Sequence, residues 1–202
     1  ARLSSELDAY ARHYQEKAGE LSQLRQAAAG RLASAVEGEI QRLGMPGGRF
    51  SIELRPSAHD EPHPHGLEQV ELRVSANPGQ PLKPLAKVAS GGELSRISLA
   101  IQVITAQTSR VPTLVFDEVD VGIGGPTAEV VGQLLRRLGE RGQVLTVTHL
   151  PQVAAQGHHH LFVHKARGSD ATRTAVAHLQ DRERIEEIAR MLGGVDLTAE
   201  SL

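Results

Sequence analysis

Asp117 and Glu118 close the short apolar run PTLVF (112–116), and His149 follows a second such run, QVLTVT (143–148), which ends in Thr148. Between them, residues 128–138 carry apolar side chains at helical spacing. Strand, helix and strand in that order imply a parallel pair joined by a right-handed crossover. In such a sheet, ligands bind beyond the carboxyl ends of the strands. One edge is therefore expected to collect two carboxylates and an imidazole, a set suited to phosphoryl transfer to water. A hard Mg²⁺ ion takes oxygen ligands, often a single carboxylate together with phosphate oxygens, and Asp117 supplies one. Glu118 would orient or deprotonate the attacking water, and His149 would hydrogen-bond the terminal phosphate. An acidic pair after a strand is ordinarily a solvated turn. The histidine at the neighbouring strand end, with a glycine-rich stretch upstream, favours catalysis instead.

That stretch is KVASGGELSR (87–96). Ser90 and Glu93 have the spacing of a capping box for a helix running from residue 94 to about 107. A cap does not call for two consecutive glycines, which cost conformational entropy. Gly91 and Gly92 do permit close approach of an anion to the positive end of a helix. The lysine loop that usually accompanies such chemistry, G-x-x-x-x-G-K-[ST], occurs nowhere in the 202 residues.

The elements that must hold these residues are readable from periodicity. Leu3, Leu7, Tyr10, Tyr14, Leu21, Leu24 and Ala28 follow a heptad pattern with Lys17 in one seam position. The phase slips near Leu32, Val36, Ile40 and Leu43 before Gly44, Pro46, Gly47 and Gly48 end the helix. Either an amphipathic helix packed on a globular body or a coiled-coil stump fits the pattern. The polar outer face and the length favour the stump, with its partner helix outside this chain. Residues 50–54 and 67–74 alternate as two half-buried strands. His59, His63 and His65 lie between them in a proline-rich loop and are assigned no metal role. Residues 161–163 read as a third strand of an α/β body, and 182–192 as a closing helix.

Composition excludes several classes. The formal charge of −2 argues against a basic surface wrapped around nucleic acid. With no Trp, two Tyr and three Phe, the chain lacks platforms on which single-stranded bases stack. No run is apolar for long enough to span a bilayer, and residues 1–17 lack the pattern of a secretory signal. Zero cysteines rule out disulfides and thiolate metal sites, so a cytoplasmic protein without membrane contact is expected.

The motifs together carry a family resemblance. VASGGELSR resembles the signature motif of the ABC ATPase superfamily, TLVFDEVDVGIGG its Walker B strand and D-loop, and THLPQVAA its H-loop. The more specific likeness is to the SMC-like DNA repair ATPases, in which the run from Asn77 to Arg96 and the two later motifs occur in this order; RIEEIARMLGG near the end fits as well. The strong part covers roughly residues 66–166, and three motifs in order are far more specific than one.

The resemblance implies an α/β fold, the carboxyl-terminal lobe of an ABC-type ATPase head (46–202), preceded by a returning coiled-coil arm (1–45). It implies ATP and Mg²⁺ as cofactors. Ser90, Gly91, Gly92 and Glu93 would form the loop at the γ-phosphate of a nucleotide held by a second head. Asp117 would serve Mg²⁺, Glu118 would be the general base, Asp120 would belong to the D-loop beside the nucleotide, and His149 would be the switch histidine. Gly124 departs from the family pattern, which has a serine there. The implied partners are a second head joined through ATP, an amino-terminal lobe of the same protein bearing the lysine loop, and DNA. The implied setting is the bacterial nucleoid, in double-strand break repair and recombination. By this reading the chain is a fragment, inactive alone. The rivals are a non-catalytic coiled-coil clamp, opposed by the intact Asp117, Glu118 and His149 set, and a transporter ATPase subunit, which would not need a heptad arm.

Overall fold

A computed structural model describes residues 2–57, 62–88, 90–106, 111–167 and 172–193. They gather into two units, Ala1–Ser90 and Gly91–Leu202.

The first unit is built on helix α1 (Arg2–Arg42), about 60 Å long at 1.5 Å per residue. Its carboxyl-terminal part buries Val36 and Ile40, which with Leu43, Met45, Phe50 and Val74 form a small core. Strand β1 (Arg49–Pro56) pairs antiparallel with β2 (Glu68–Ser75), in a register running from Arg49 opposite Ser75 to Pro56 opposite Glu68. The two-residue strand β3 (Lys83–Pro84) adds to β2. Gly44 adopts φ 81°, and Met45 N–H reaches back to the Ile40 carbonyl, the left-handed stop that glycine permits after a helix.

The phase slip in the heptads now has a physical cause. After about residue 32 the apolar stripe faces the chain's own sheet, whereas Leu3 and Leu7 remain 82% and 68% exposed. Residues 63–68, leading into β2, are pinned to α1. The Tyr14 hydroxyl donates to the His63 carbonyl and accepts from the His63 N–H, Arg25 donates to the His65 carbonyl, and Ser22 donates to Glu68. His59 lies outside the described residues.

The second unit contains helix α2 (Gly91–Thr105), strand β4 (Thr113–Phe116), helix α3 (Gly125–Gly139), strand β5 (Gln143–Thr146), the short helix α4 (Pro151–Ala154), strands β6 (His160–Arg167) and β7 (Thr172–Leu179), and helix α5 (Asp181–Gly193). β4 and β5 are parallel, Thr113 beside Gln143 through Phe116 beside Thr146, and α3 makes the crossover. The inner stripe of α3, Ala128, Val131, Leu134, Leu135 and Leu138, packs into a core with Ile97, Leu99 and Ala100 of α2 and with Phe116. The opposite face of the parallel pair is apolar and open: Val115 and Val147 are 67% and 64% exposed.

Residues 161–163 do lie in a strand, but β6 pairs antiparallel with β7 in a separate two-stranded sheet instead of extending the parallel pair. β7 was not anticipated, because the alanines in TRTAVAHL blunt its alternation. Helix α2 likewise begins three residues earlier than expected, so both glycines lie within its first turn.

Helix α3 packs against helix α4 at Gly132, where an added Cβ would fall 3.0 Å from the Gln152 carbonyl and 2.8 Å from Gln156 Cγ. Alanine normally favours a helix interior over glycine by up to about 1 kcal/mol. Here Gly132→Ala is expected to destabilise instead, by roughly 1–3 kcal/mol, because backbone on α4 must give way. Urea unfolding of the two forms would measure the sign.

Candidate functional site

The turn after β4 sets the geometry. Asp117 is exposed at the strand end; its Oδ1 accepts the Glu118 N–H at 3.0 Å, and its main-chain carbonyl accepts the Ser95 hydroxyl of α2 at 2.8 Å. Glu118 adopts φ 58°, and it is the one non-glycine residue with positive φ among those described. Such a conformation costs on the order of 1–3 kcal/mol in a residue with a Cβ and persists only where its surroundings hold it. What holds it is inside the turn: Val119 is fully buried and Asp120 is 1% exposed, so both side chains face inward while Glu118 faces out.

The Glu118 carboxylate lies against the first turn of α2. A Cβ on Gly91 would sit 2.5 Å from Glu118 Oε2, so a larger residue there would turn the carboxylate out of this rotamer. Gly92 serves a different contact, since a Cβ on it would fall 3.0 Å from the Val121 carbonyl and 3.2 Å from Arg96 Nη1. Arg96, nearly buried, donates to that same carbonyl at 2.8 Å and ties α2 to the turn. Burial lowers the pKa of this guanidinium from its ordinary value, opposed by the nearby Glu93 carboxylate. An arginine remains charged under such a shift. Ser90 is exposed and directly precedes Gly91, and Glu93 stands in the first turn.

The second strand end joins the first through Asp120. Its Oδ2 accepts the Thr148 hydroxyl and the His149 main-chain N–H (3.3 Å), and lies 3.6 Å from His149 Nδ1. The His149 side chain is 70% exposed. The hydrogen-bonded ladder runs past the end of β5, with Val147 N–H donating to the Phe116 carbonyl at 3.0 Å, and this brings Thr148 level with the turn. Behind His149, Pro151 opens α4. Two arginines cap the carbonyls at its far end: Arg184 of α5 reaches Ala155 at 2.8 Å and also Ala154 and Gly157, and Arg136 of α3 reaches Gln156 at 2.8 Å.

Asp117, Glu118, Asp120 and His149 thus meet at one edge, with Gly91, Gly92 and Glu93 beside Glu118's turn. Asp117 fits a Mg²⁺ ion as an exposed hard-oxygen donor at a strand end with one oxygen already oriented by a backbone N–H. At Gly124 the backbone is extended and an added Cβ meets nothing within 4 Å, so the serine expected there from the resemblance would fit as well. Sequence reasoning passed over Arg96, Arg136 and Arg184. Only Arg96 left a signal, a charge in register with Leu99 and Ala100 on the apolar side of α2.

No family model matches the chain. It is 52% identical over 188 residues to the DNA repair protein RecN of Xylella fastidiosa (strain 9a5c), covering 93% of this chain and 34% of that protein. It is 52% identical over 201 residues to RecN of Vibrio cholerae, covering 99% and 36%. The chain therefore spans about a third of the length of the relatives it matches. Among solved structures it is similar to the Smc head domain with a coiled coil and joint from Pyrococcus yayanosii, with a TM-score of 0.63, 19% identity and coverage of 93% of this chain and 34% of that one. A second is the Smc head domain with an extended coiled coil from Pyrococcus furiosus, bound to the C-terminal domain of ScpA, with a TM-score of 0.59, 19% identity and coverage of 93% and 44%. The fold is that of part of an Smc head domain.

Proposed function

The chain belongs to the RecN family of DNA repair proteins, and from that premise we propose that it is the carboxyl-terminal lobe of an ATPase head which hydrolyses ATP at a composite site formed by two heads. Residues 1–45 are the returning coiled-coil arm and 46–202 the lobe. The reading rests chiefly on the convergence at one sheet edge. Asp117 and Glu118 close β4, His149 follows β5, and the buried Asp120 links the two strand ends.

Each residue has a role in this scheme. Asp117 holds Mg²⁺, which when bound offsets charge on the phosphate oxygens. Glu118 takes the proton of the attacking water, and the outward turn of its backbone presents the carboxylate to solvent. His149 hydrogen-bonds the terminal phosphate. Ser90, Gly91, Gly92 and Glu93 form the edge that meets a nucleotide held by the second head, and Asp120 lies behind that edge in the D-loop. An amino-terminal lobe of the same protein contributes the lysine loop. The open apolar face around Val115 and Val147 supports such a lobe, because two strands alone leave that surface in water.

In the complete protein the heads act on DNA in double-strand break repair and recombination, at the nucleoid in the bacterial cytoplasm. Among the described residues no helix is long and apolar enough to cross a membrane.

Phosphate release tests the composite site. The 202-residue chain alone is expected to give no turnover above background, and addition of the amino-terminal portion of the full-length protein is expected to restore it. Robust hydrolysis by the chain alone would overturn the proposal.

A further inference from the structure

We infer that Asp120 is a positioning residue for His149, and that it acts on the nucleotide only through that ring. The inference rests on the ATPase reading of the site and deepens it. A carboxylate that touches a bound nucleotide or its metal has to present an oxygen to the ligand. Asp120 is 1% exposed, and its Oδ2 serves the neighbouring strand end instead: it takes the Thr148 hydroxyl and the His149 N–H, with His149 Nδ1 at 3.6 Å.

An ionised carboxylate only accepts hydrogen bonds. The ring nitrogen nearest to it is therefore the one favoured to carry a proton. Nε2, at the far side of a ring whose side chain is 70% exposed, is the nitrogen left for the nucleotide. Asp120 also lies two residues beyond Glu118, on the same tight turn, in which Val121 N–H closes onto the Glu118 carbonyl at 3.2 Å. The turn that aims the glutamate and the loop that carries the histidine are thus held by one buried group, and a displacement of either is passed to the other.

The test uses the full-length protein with three changes: Asp120→Asn, His149→Ala and the pair. Asparagine keeps the size of the side chain and an oxygen for the Thr148 and His149 donors, but its charge is gone. For metal-ligating histidines, removing the partner that orients the ring typically costs about 10–100-fold in activity, and the same scale applies to a ring held for a phosphate. A fall of that order in kcat is expected for Asp120→Asn, with KM for ATP essentially unchanged. In the His149→Ala background the same change should lower kcat no further, since residues acting through one another are not additive. Ring ¹⁵N shifts of histidine-labelled protein should show His149 protonated at Nδ1, and shifted towards the Nε2–H form in Asp120→Asn. An equal loss in the His149→Ala background, a raised KM with kcat intact, or an unchanged ring tautomer would overturn the inference. Absence of ATP turnover in the unsubstituted full-length protein would instead defeat the ATPase reading, and the ring shifts would still decide the role of Asp120.

Discussion

In the complete protein, Glu118→Gln is expected to keep Mg·ATP bound while hydrolysis falls by roughly 10²–10⁴-fold, the usual worth of a positioned general base. The amide retains the length and most of the hydrogen bonding of the carboxylate but cannot accept the proton of the attacking water. It also leaves the backbone unchanged: Glu118 sits at φ 58° because Val119 and Asp120 are anchored inside the turn, and neither anchor involves the glutamate side chain. Nucleotide-bound heads should then accumulate as pairs, visible as a shift in mass on gel filtration with ATP. Asp117→Asn should fail differently. Its carboxylate is the exposed oxygen donor at the strand end, so metal-dependent nucleotide binding itself should weaken. Equal loss of nucleotide affinity in the two variants would remove the distinction between ligand and base.

Ser90→Arg separates a helix cap from a phosphate contact. Ser90 is exposed and stands immediately before the first turn of α2, so an arginine there need not be buried. If the residue only caps the helix, the change should cost on the order of 1 kcal/mol of stability and leave ATP turnover intact. If it closes over a nucleotide on a second head, a long cationic side chain should block head pairing and reduce turnover by about a hundredfold or more, the scale of losing one preorganised contact to the reacting group. Each head should still bind ATP through its own amino-terminal lobe. Mixing this variant with one defective only in the lysine loop sharpens the result. A mixed pair sets the intact signature of one head against the intact lysine loop of the other, so one working site re-forms and part of the hydrolysis returns. A mixture of folded, associating variants that recovers nothing would show that the phosphate is not shared between heads.

Much of the site was legible before any coordinates, and the reason is periodicity. Short apolar runs on either side of a helical pattern specify a parallel pair, and a parallel pair brings its carboxyl ends together, so Asp117, Glu118 and His149 could be placed at one edge from the sequence alone. The heptads of α1 and their slip were equally local signals, each reporting which side of a helix is apolar. Periodicity does not report which distant group a side chain will meet. Asp120 read as one more acidic residue beside a nucleotide. Packing turned it inward, onto donors 28 and 29 residues further along the chain. Gly91 and Gly92 read together as room for an anion, yet the tertiary structure sets one against the Glu118 carboxylate and the other against the Val121 carbonyl, where an added Cβ would fall at 2.5 and 3.0 Å. Strand β6 was visible, but whether it would join the parallel pair or form its own hairpin depended on β7, whose alanines carry little pattern. Sequence thus determined which residues share a face or a strand end, because those relations repeat every two or three to four positions. The tertiary structure alone decided which buried polar group answers which donor, because that pairing follows from the closing of the whole core.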